Sequence, residues 1–135
     1  MTTKLRTKLD TIFSKYIRLR DTNEEGYGQC ITTGKWIHYS HGDAGHFMSR
    51  RYMSTRWNEK NVNLQSRGSN RFNQGDQFKH ALALDRKYGR GTAEVILSES
   101  YRTKKWSEFE ISELIKYYKS ECKRLLKDKN FDVRL

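Results

Sequence analysis

Residues 43–70 read DAGHFMSRRYMSTRWNEKNVNLQSRGSN and carry most of what the chain says about its chemistry. Asp43 and His46 stand three residues apart, and Asn61, Asn63 and Asn70 follow a strongly basic run. Imidazole titrates near neutrality, so His46 is the candidate general base. Asp43 and Asn70 offer the hard oxygens that Mg2+ or Mn2+ prefers. A cation held there would polarise a phosphodiester and stabilise the departing oxygen. The combination points to a metal-dependent nuclease. Spacing alone leaves a plainer alternative open, in which His46 is a loop histidine satisfied by a backbone carbonyl and the asparagines are turn or cap residues.

The charge around this segment supports a polyanionic partner. Between residues 44 and 72, Arg50, Arg51, Arg56, Lys60, Arg67 and Arg71 face a single acid, Glu59. The whole chain of 135 residues carries 27 Lys and Arg against 16 Asp and Glu, a formal charge of +11. Such a balance raises the local concentration of nucleic acid and speeds its capture. The six basic residues are therefore the candidate DNA-contacting set. Tyr52 and Trp57 lie among them and can stack on bases, although Trp57 suits a core position better. His38, His41 and His80 read as structural, with His80 at a surface or boundary position. No apolar run is long enough to span a bilayer, and the first ten residues lack the apolar stretch of a signal peptide, so a cytoplasmic protein is expected. In that compartment Cys30 and Cys122 are expected to stay reduced.

Outward from the centre, hydrophobic spacing gives the frame. Leu5, Leu9, Ile12, Phe13, Tyr16 and Ile17 predict an amphipathic helix over 2–20. Two β-prone pieces, 30–32 and 36–39, flank Gly34 and predict a hairpin, while 40–45 reads as a glycine-containing loop. Residues 49–60 look irregular, and 62–64 reads as a short strand. Phe78, Ala81, Leu82, Leu84 and Tyr88 predict a helix over 76–88, stopped by Gly89 and Gly91. A helical piece follows at 92–97. Ser107 and Glu110 have capping-box spacing ahead of a long helix whose apolar face includes Phe109, Ile111, Leu114, Ile115, Tyr118, Cys122, Leu125 and Leu126. Helices at both ends of a small β-containing centre predict a single α+β domain over 1–135.

Several stretches resemble the NinG/Rap family of phage recombination proteins: LDTIFSKYIRLRD, GYGQCITTGKW, DAGHFMSRR, RWNEKNVNLQSRGSNRFNQGDQFKHALALDRKYGRGTAE and a charged C-terminal helix. The resemblance covers nearly the whole chain. It implies a variant of the HNH, or His-Me finger, nucleases: a ββα-metal centre over 28–89, flanked by the N-terminal helix and by C-terminal helices over 92–128. It implies His46 as general base, Asn61 as the residue that orients the loop and the histidine, and Asn70 as a metal ligand. Asp43 is offset from the usual acidic ligand position, so its role as a ligand is the less secure. Arg50 and Arg51 would face the substrate backbone.

The chain departs from the family at a structural zinc site. Two CxxC pairs are expected, but Cys30 is matched with Thr33, and Ser66 stands with Ser69. A structural zinc takes about four N or S ligands, and hydroxyls replace them poorly. No zinc is expected, and hydrogen bonds from Thr33, Ser66 and Ser69 are expected to hold the knuckle instead. The resulting expectation is an endonuclease using one Mg2+ or Mn2+ per site. Its substrate would be branched recombination DNA such as Holliday junctions or D-loops, and it would act as a homodimer through the apolar faces of the long helices if those are not core. The competing expectation is a non-catalytic DNA-binding accessory protein on a decayed scaffold. An RNA-binding protein shares the charge argument.

Overall fold

The apolar stripe of the N-terminal helix finds its partner at the other end of the chain. In the computed structural model, which describes residues 3–72 and 77–129, α1 (Thr3–Arg20) lies against α5 (Glu108–Lys129). Leu9, Phe13, Tyr16 and Ile17 of α1 pack with Ile111, Ile115, Tyr118, Cys122 and Leu125 of α5. These faces form the main core, so their surface is already used within one chain. Each helix is also finished at one end. Ser107 and Glu110 form the expected capping box, with reciprocal bonds of 3.1 Å. The Lys129 ammonium at the end of α5 donates to the carbonyls of Leu19, Arg20 and Thr22, satisfying acceptors that the end of α1 leaves open.

Two antiparallel hairpins lie between the long helices. The first pairs β1 (Tyr27–Gln29) with β2 (Trp36–His38). Its first strand begins earlier than the sequence predicts, while the second starts at Trp36 as expected. The first is displaced because residues 30–33 form the turn: the Gly34 amide returns to the Cys30 carbonyl at 2.9 Å, with Gly34 at φ 75°. A 3-10 turn at Tyr39–His41 leads into the second hairpin, β3 (Gly42–His46) with β4 (Val62–Ser66). The segment expected to be a loop at 40–45 is thus mostly strand. Its glycines, which read as loop signals, are required by close approach. A side chain at Gly45 would come within 2.0 Å of the Gln65 amide oxygen.

The short helix α2 (Arg67–Phe72) follows β4 directly, and α3 (Gln77–Tyr88) and α4 (Thr92–Ser100) complete the order. The architecture is α+β, as expected, with a β-hairpin-then-helix unit at its centre. A second, smaller cluster joins Phe47 and Met48 to Leu84, Ala93 and Ile96. His80 belongs to this side of the core. It is fully buried and meets the Phe47 ring edge-on at 5.5 Å, not at the surface as its helical neighbours suggested. Conversely, Phe78 and Phe109 point outward, 76% and 75% exposed, so the apolar spacing overcounted both faces. Among the described residues, no helix is long and apolar enough to cross a membrane.

Candidate active site

The long connection between β3 and β4 positions the site. Loop 47–61 has almost no regular structure, yet buried polar side chains fix it from several sides. Its mouth is closed by the Phe47 amide donating to the Asn61 carbonyl at 2.9 Å. The Asn61 side chain, fully buried, accepts from the Met48 amide at 2.8 Å and donates to the carbonyls of Met48 and Thr55, both at 3.0 Å. Tyr16 of α1 and Tyr118 of α5 both donate to the Glu59 carboxylate, at 2.7 and 3.1 Å. Burial, reinforced by Glu59, pushes both phenols up from their ordinary range. Trp57 is buried against Trp106 in a T-shaped contact, which answers the core-or-stacking choice in favour of core.

His46 ends β3 and meets this loop. Its Nε2 lies 2.9 Å from the Arg56 carbonyl oxygen. A carbonyl only accepts, so Nε2 carries the proton and the neutral ring keeps its lone pair on Nδ1. Burial lowers the pKa of the imidazole below its ordinary 6.5, and the Arg50 charge acts in the same direction. The Arg56 carbonyl, Asp10 and the Ala44 backbone act against this shift without reversing it. His46 is therefore held neutral at cellular pH.

The ring borders a pocket of roughly 490 Å³ lined by Asp10, Asp43, His46, Ser49, Arg50, Asn70 and Gln77, with Phe13, Ser14 and Ala44. Strand β3 brings Asp43 and helix α2 brings Asn70, and the Asn70 amide nitrogen donates to Asp43 Oδ2 at 3.1 Å. Arg67 reaches the other carboxylate oxygen at 3.4 Å and is itself held by the Ser40 carbonyl at 2.9 Å. Asp43, His46 and Asn70, which the sequence singled out, thus line one cavity. Among the described residues no three His, Cys, Asp or Glu side chains cluster as a metal-binding group. The lining holds two carboxylates, Asp10 and Asp43, and two side-chain amides, Asn70 and Gln77. Asp10 is bound by Arg56 and Trp57, and the Gln77 amide nitrogen by the Phe47 carbonyl.

The candidate basic residues divide. Arg50 lines the pocket with its side chain 62% exposed, and Arg51 is exposed beside the Tyr52 ring. Arg67 is half-exposed and touches the pocket only through Asp43. Arg56 instead turns inward: it makes two bonds to Asp10, at 3.1 and 2.5 Å, and its side chain is only 16% exposed. Lys60 is exposed near the Tyr88 ring and does not line the pocket. Arg71 lies on α2, but its side chain is outside the described residues. Asn63 serves a separate buried network, accepting from Arg20, Lys87 and Tyr88 at 3.1, 2.8 and 2.6 Å. Sequence reading missed Asp10, on a helix remote in sequence, and Gln77, which opens α3 seven residues after Asn70; neither carries a local signal.

The knuckle beside the first hairpin is held by hydrogen bonds. Cys30 Sγ accepts from the Ser66 amide at 3.3 Å and lies 3.4 Å from the Thr32 hydroxyl. Gln65 donates to that hydroxyl at 3.3 Å, so Thr32, which the sequence reading did not name, joins Thr33 in holding the knuckle. Thr33 closes the turn through the Lys35 amide at 3.2 Å, and Ser66 Oγ accepts from the Ser69 amide at 3.4 Å. Burial raises the Cys30 pKa, but the hydrogen bonds from Thr32, Thr33 and Ser66 outweigh it and bring the thiol down to about 7.

These features define a class: a small α+β protein whose hairpin-then-helix unit places a neutral histidine, a carboxylate and an amide on one pocket with arginines at its edge. The sequence matches the family described as bacteriophage Lambda NinG protein over residues 2–128. The chain belongs to this NinG family, a family of phage recombination-associated proteins. No curated protein and no solved structure matches it.

Proposed function

We propose that the protein is a divalent-metal-dependent DNA endonuclease of the His-Me finger kind, acting on branched DNA in phage recombination. The observation that carries this reading is the state of His46. Its protonated nitrogen is bound to the Arg56 carbonyl, its other nitrogen keeps a lone pair, and the ring borders the pocket that holds Asp43 and Asn70. The carbonyl contact alone would also suit a structural histidine; what favours the proposal is that Asp43 and Asn70 line the same cavity as the ring.

The donor set fits a hard cation. Mg2+ or Mn2+ is commonly held by one or two carboxylates while substrate phosphate and water supply the rest. Asp43 would be the charged ligand, and the Asn70 amide, turned to present its oxygen, the neutral one. When bound, the cation supplies Lewis-acid polarisation of the scissile phosphate and stabilises the leaving oxygen. His46 takes the proton of the attacking water on Nδ1. Asn61 touches no reacting atom and keeps the loop in place. Arg50, Arg51 and Arg67 offer their charge to the phosphates, Arg67 from its place between Asp43 and the Ser40 carbonyl. Symmetric cutting of a junction needs two such sites, so a second copy of the chain is the partner proposed.

The test is cleavage of a labelled four-way junction and a matched linear duplex in Mg2+, Mn2+ or EDTA. Cutting in either metal, stopped by EDTA and faster on the junction, supports the reading. Tight binding without cutting in both metals would replace it with the accessory-protein reading.

A further inference from the structure

We infer that Asp10 of α1 is a positioning residue for the catalytic histidine: by holding both side chains that flank the 56–57 peptide bond, it aims the Arg56 carbonyl at His46. This rests on His46 being the general base. Asp10 Oδ1 accepts from Arg56 Nε at 3.1 Å and from Trp57 Nε1 at 2.9 Å. Asp10 Oδ2 takes Arg56 Nη2 at 2.5 Å, and Arg50 Nη1 stands 3.5 Å away. The carboxylate itself is largely buried, its side chain 13% exposed.

The geometry explains why this matters. A peptide group is planar, so between two held Cα atoms its carbonyl keeps one freedom, rotation of the plane about the Cα–Cα line, and tethering the side chains of both residues narrows it. Here the side chains on both Cα atoms end on the same carboxylate. The bidentate guanidinium contact fixes orientation as well as distance. The carbonyl between them accepts a hydrogen bond from His46 Nε2–H at 2.9 Å, and that bond favours the tautomer with the lone pair on Nδ1. The chain of command therefore runs from the N-terminal helix, through a loop of no regular structure, to the nitrogen proposed to accept the water proton. It also gives a role to a second acid that lines the pocket: the Asp10 oxygens take three donors from Arg56 and Trp57. Arg56, counted in the sequence among DNA-contacting residues, belongs to this clamp.

The test reads the histidine directly. Nitrogen NMR of the neutral His46 ring, recorded without DNA or metal, is expected to show the Nε2–H form in the wild-type protein, with slow exchange of that proton. Asp10→Asn places an amide N–H2 against a guanidinium. It is expected to give a mixture of tautomers and exchange faster by about tenfold or more. Single-turnover cleavage should fall by about 10–100-fold, the range seen when a partner that orients a ligating or reacting group is lost. DNA affinity should stay within about twofold, and Asp10→Glu should recover part of the rate. A folded Asp10→Asn protein with wild-type tautomer and exchange overturns the inference. If Asp10→Asn does not fold, Arg56→Lys keeps the charge but loses the fork, and an unchanged tautomer there overturns it equally. A wild-type protein that never cuts, yet whose tautomer responds to Asp10→Asn, refutes the nuclease reading and leaves the positioning role standing.

Discussion

The two hairpins share antiparallel pairing and differ in how they are closed. The first has three-residue strands, a tight turn at Gly34, and an outer surface that leaves Tyr27 and Trp36 45% and 63% exposed. The second has five-residue strands and a long irregular loop, yet that loop is bound by Asn61, Asp10, Glu59 and their partners. Length without regular structure usually means local mobility or function. Here the loop's own carbonyls and amides are taken by buried side chains, so it can hold a histidine as firmly as a strand would. The lesson is that loop rigidity follows from where its backbone hydrogen bonds go, not from its length.

That contrast can be broken at its strongest point first. Asn61→Ala removes the partner of one buried amide and two buried carbonyls. Each such orphan costs about 1–3 kcal/mol, so destabilisation of about 3 kcal/mol or more is expected, measured by urea unfolding, together with loss of protection at the Met48 amide in hydrogen exchange. Unchanged stability would mean that the loop is not stitched as described.

Gly45→Ala comes next. The new methyl group would meet the buried Gln65 side chain at 2.0 Å, and overpacking of this kind costs about 1–3 kcal/mol. Thermal unfolding should show it, whereas a neutral result would show that Gln65 has room to move.

A smaller effect comes from pH. The folded state holds His46 below 6.5, so in acid the unfolded chain binds more protons than the native one. This contribution is complete above pH ~6.5 and is lost as pH falls through the folded pKa. Stability should therefore decline on acidification through that window, and the decline should be shallower in His46→Gln. The acid limb of the cleavage rate should likewise lie below that of an ordinary imidazole. The smallest effect belongs to the first hairpin: Trp36→Ala should change stability by no more than about 0.5 kcal/mol, as for surface positions generally. A large loss there would mean that the outer hairpin supports the core after all.

The sequence was informative where signals are local. The stripe of α1 and α5 and the Ser107–Glu110 cap follow from spacing, and the structure has them in place. Strand β3 was illegible because GDAGH has no β-prone residue. It is a strand because β4 pairs with it and because Gln65 leaves room only for glycine at position 45. The first strand of the outer hairpin was displaced because the apolar Cys30 and Ile31 look like strand but make the turn and its packing. Asp43, His46 and Asn70 were readable as chemistry, and the family resemblance gave them separate roles. Their convergence depends on a strand and a helix meeting across the hairpin. Asp10 could not be found from sequence, since an acid beside Leu9 on an amphipathic helix looks like any solvated residue. Its meaning appears only when Arg56 and Trp57 fold back onto it. For the same reason Arg56 was misjudged: charge density counts arginines without saying which of them turn inward.

The central claim is that the imidazole at the end of β3 performs proton transfer in a metal-dependent cut. Single-turnover cleavage of a four-way junction by wild type and His46→Ala, in saturating Mg2+ and at enzyme concentrations where both bind the DNA fully, tests it most directly. The account predicts equal binding and a rate lower by about 10²–10⁴-fold in the variant, the range for loss of a general base. A His46→Ala protein that cuts at the wild-type rate would contradict it.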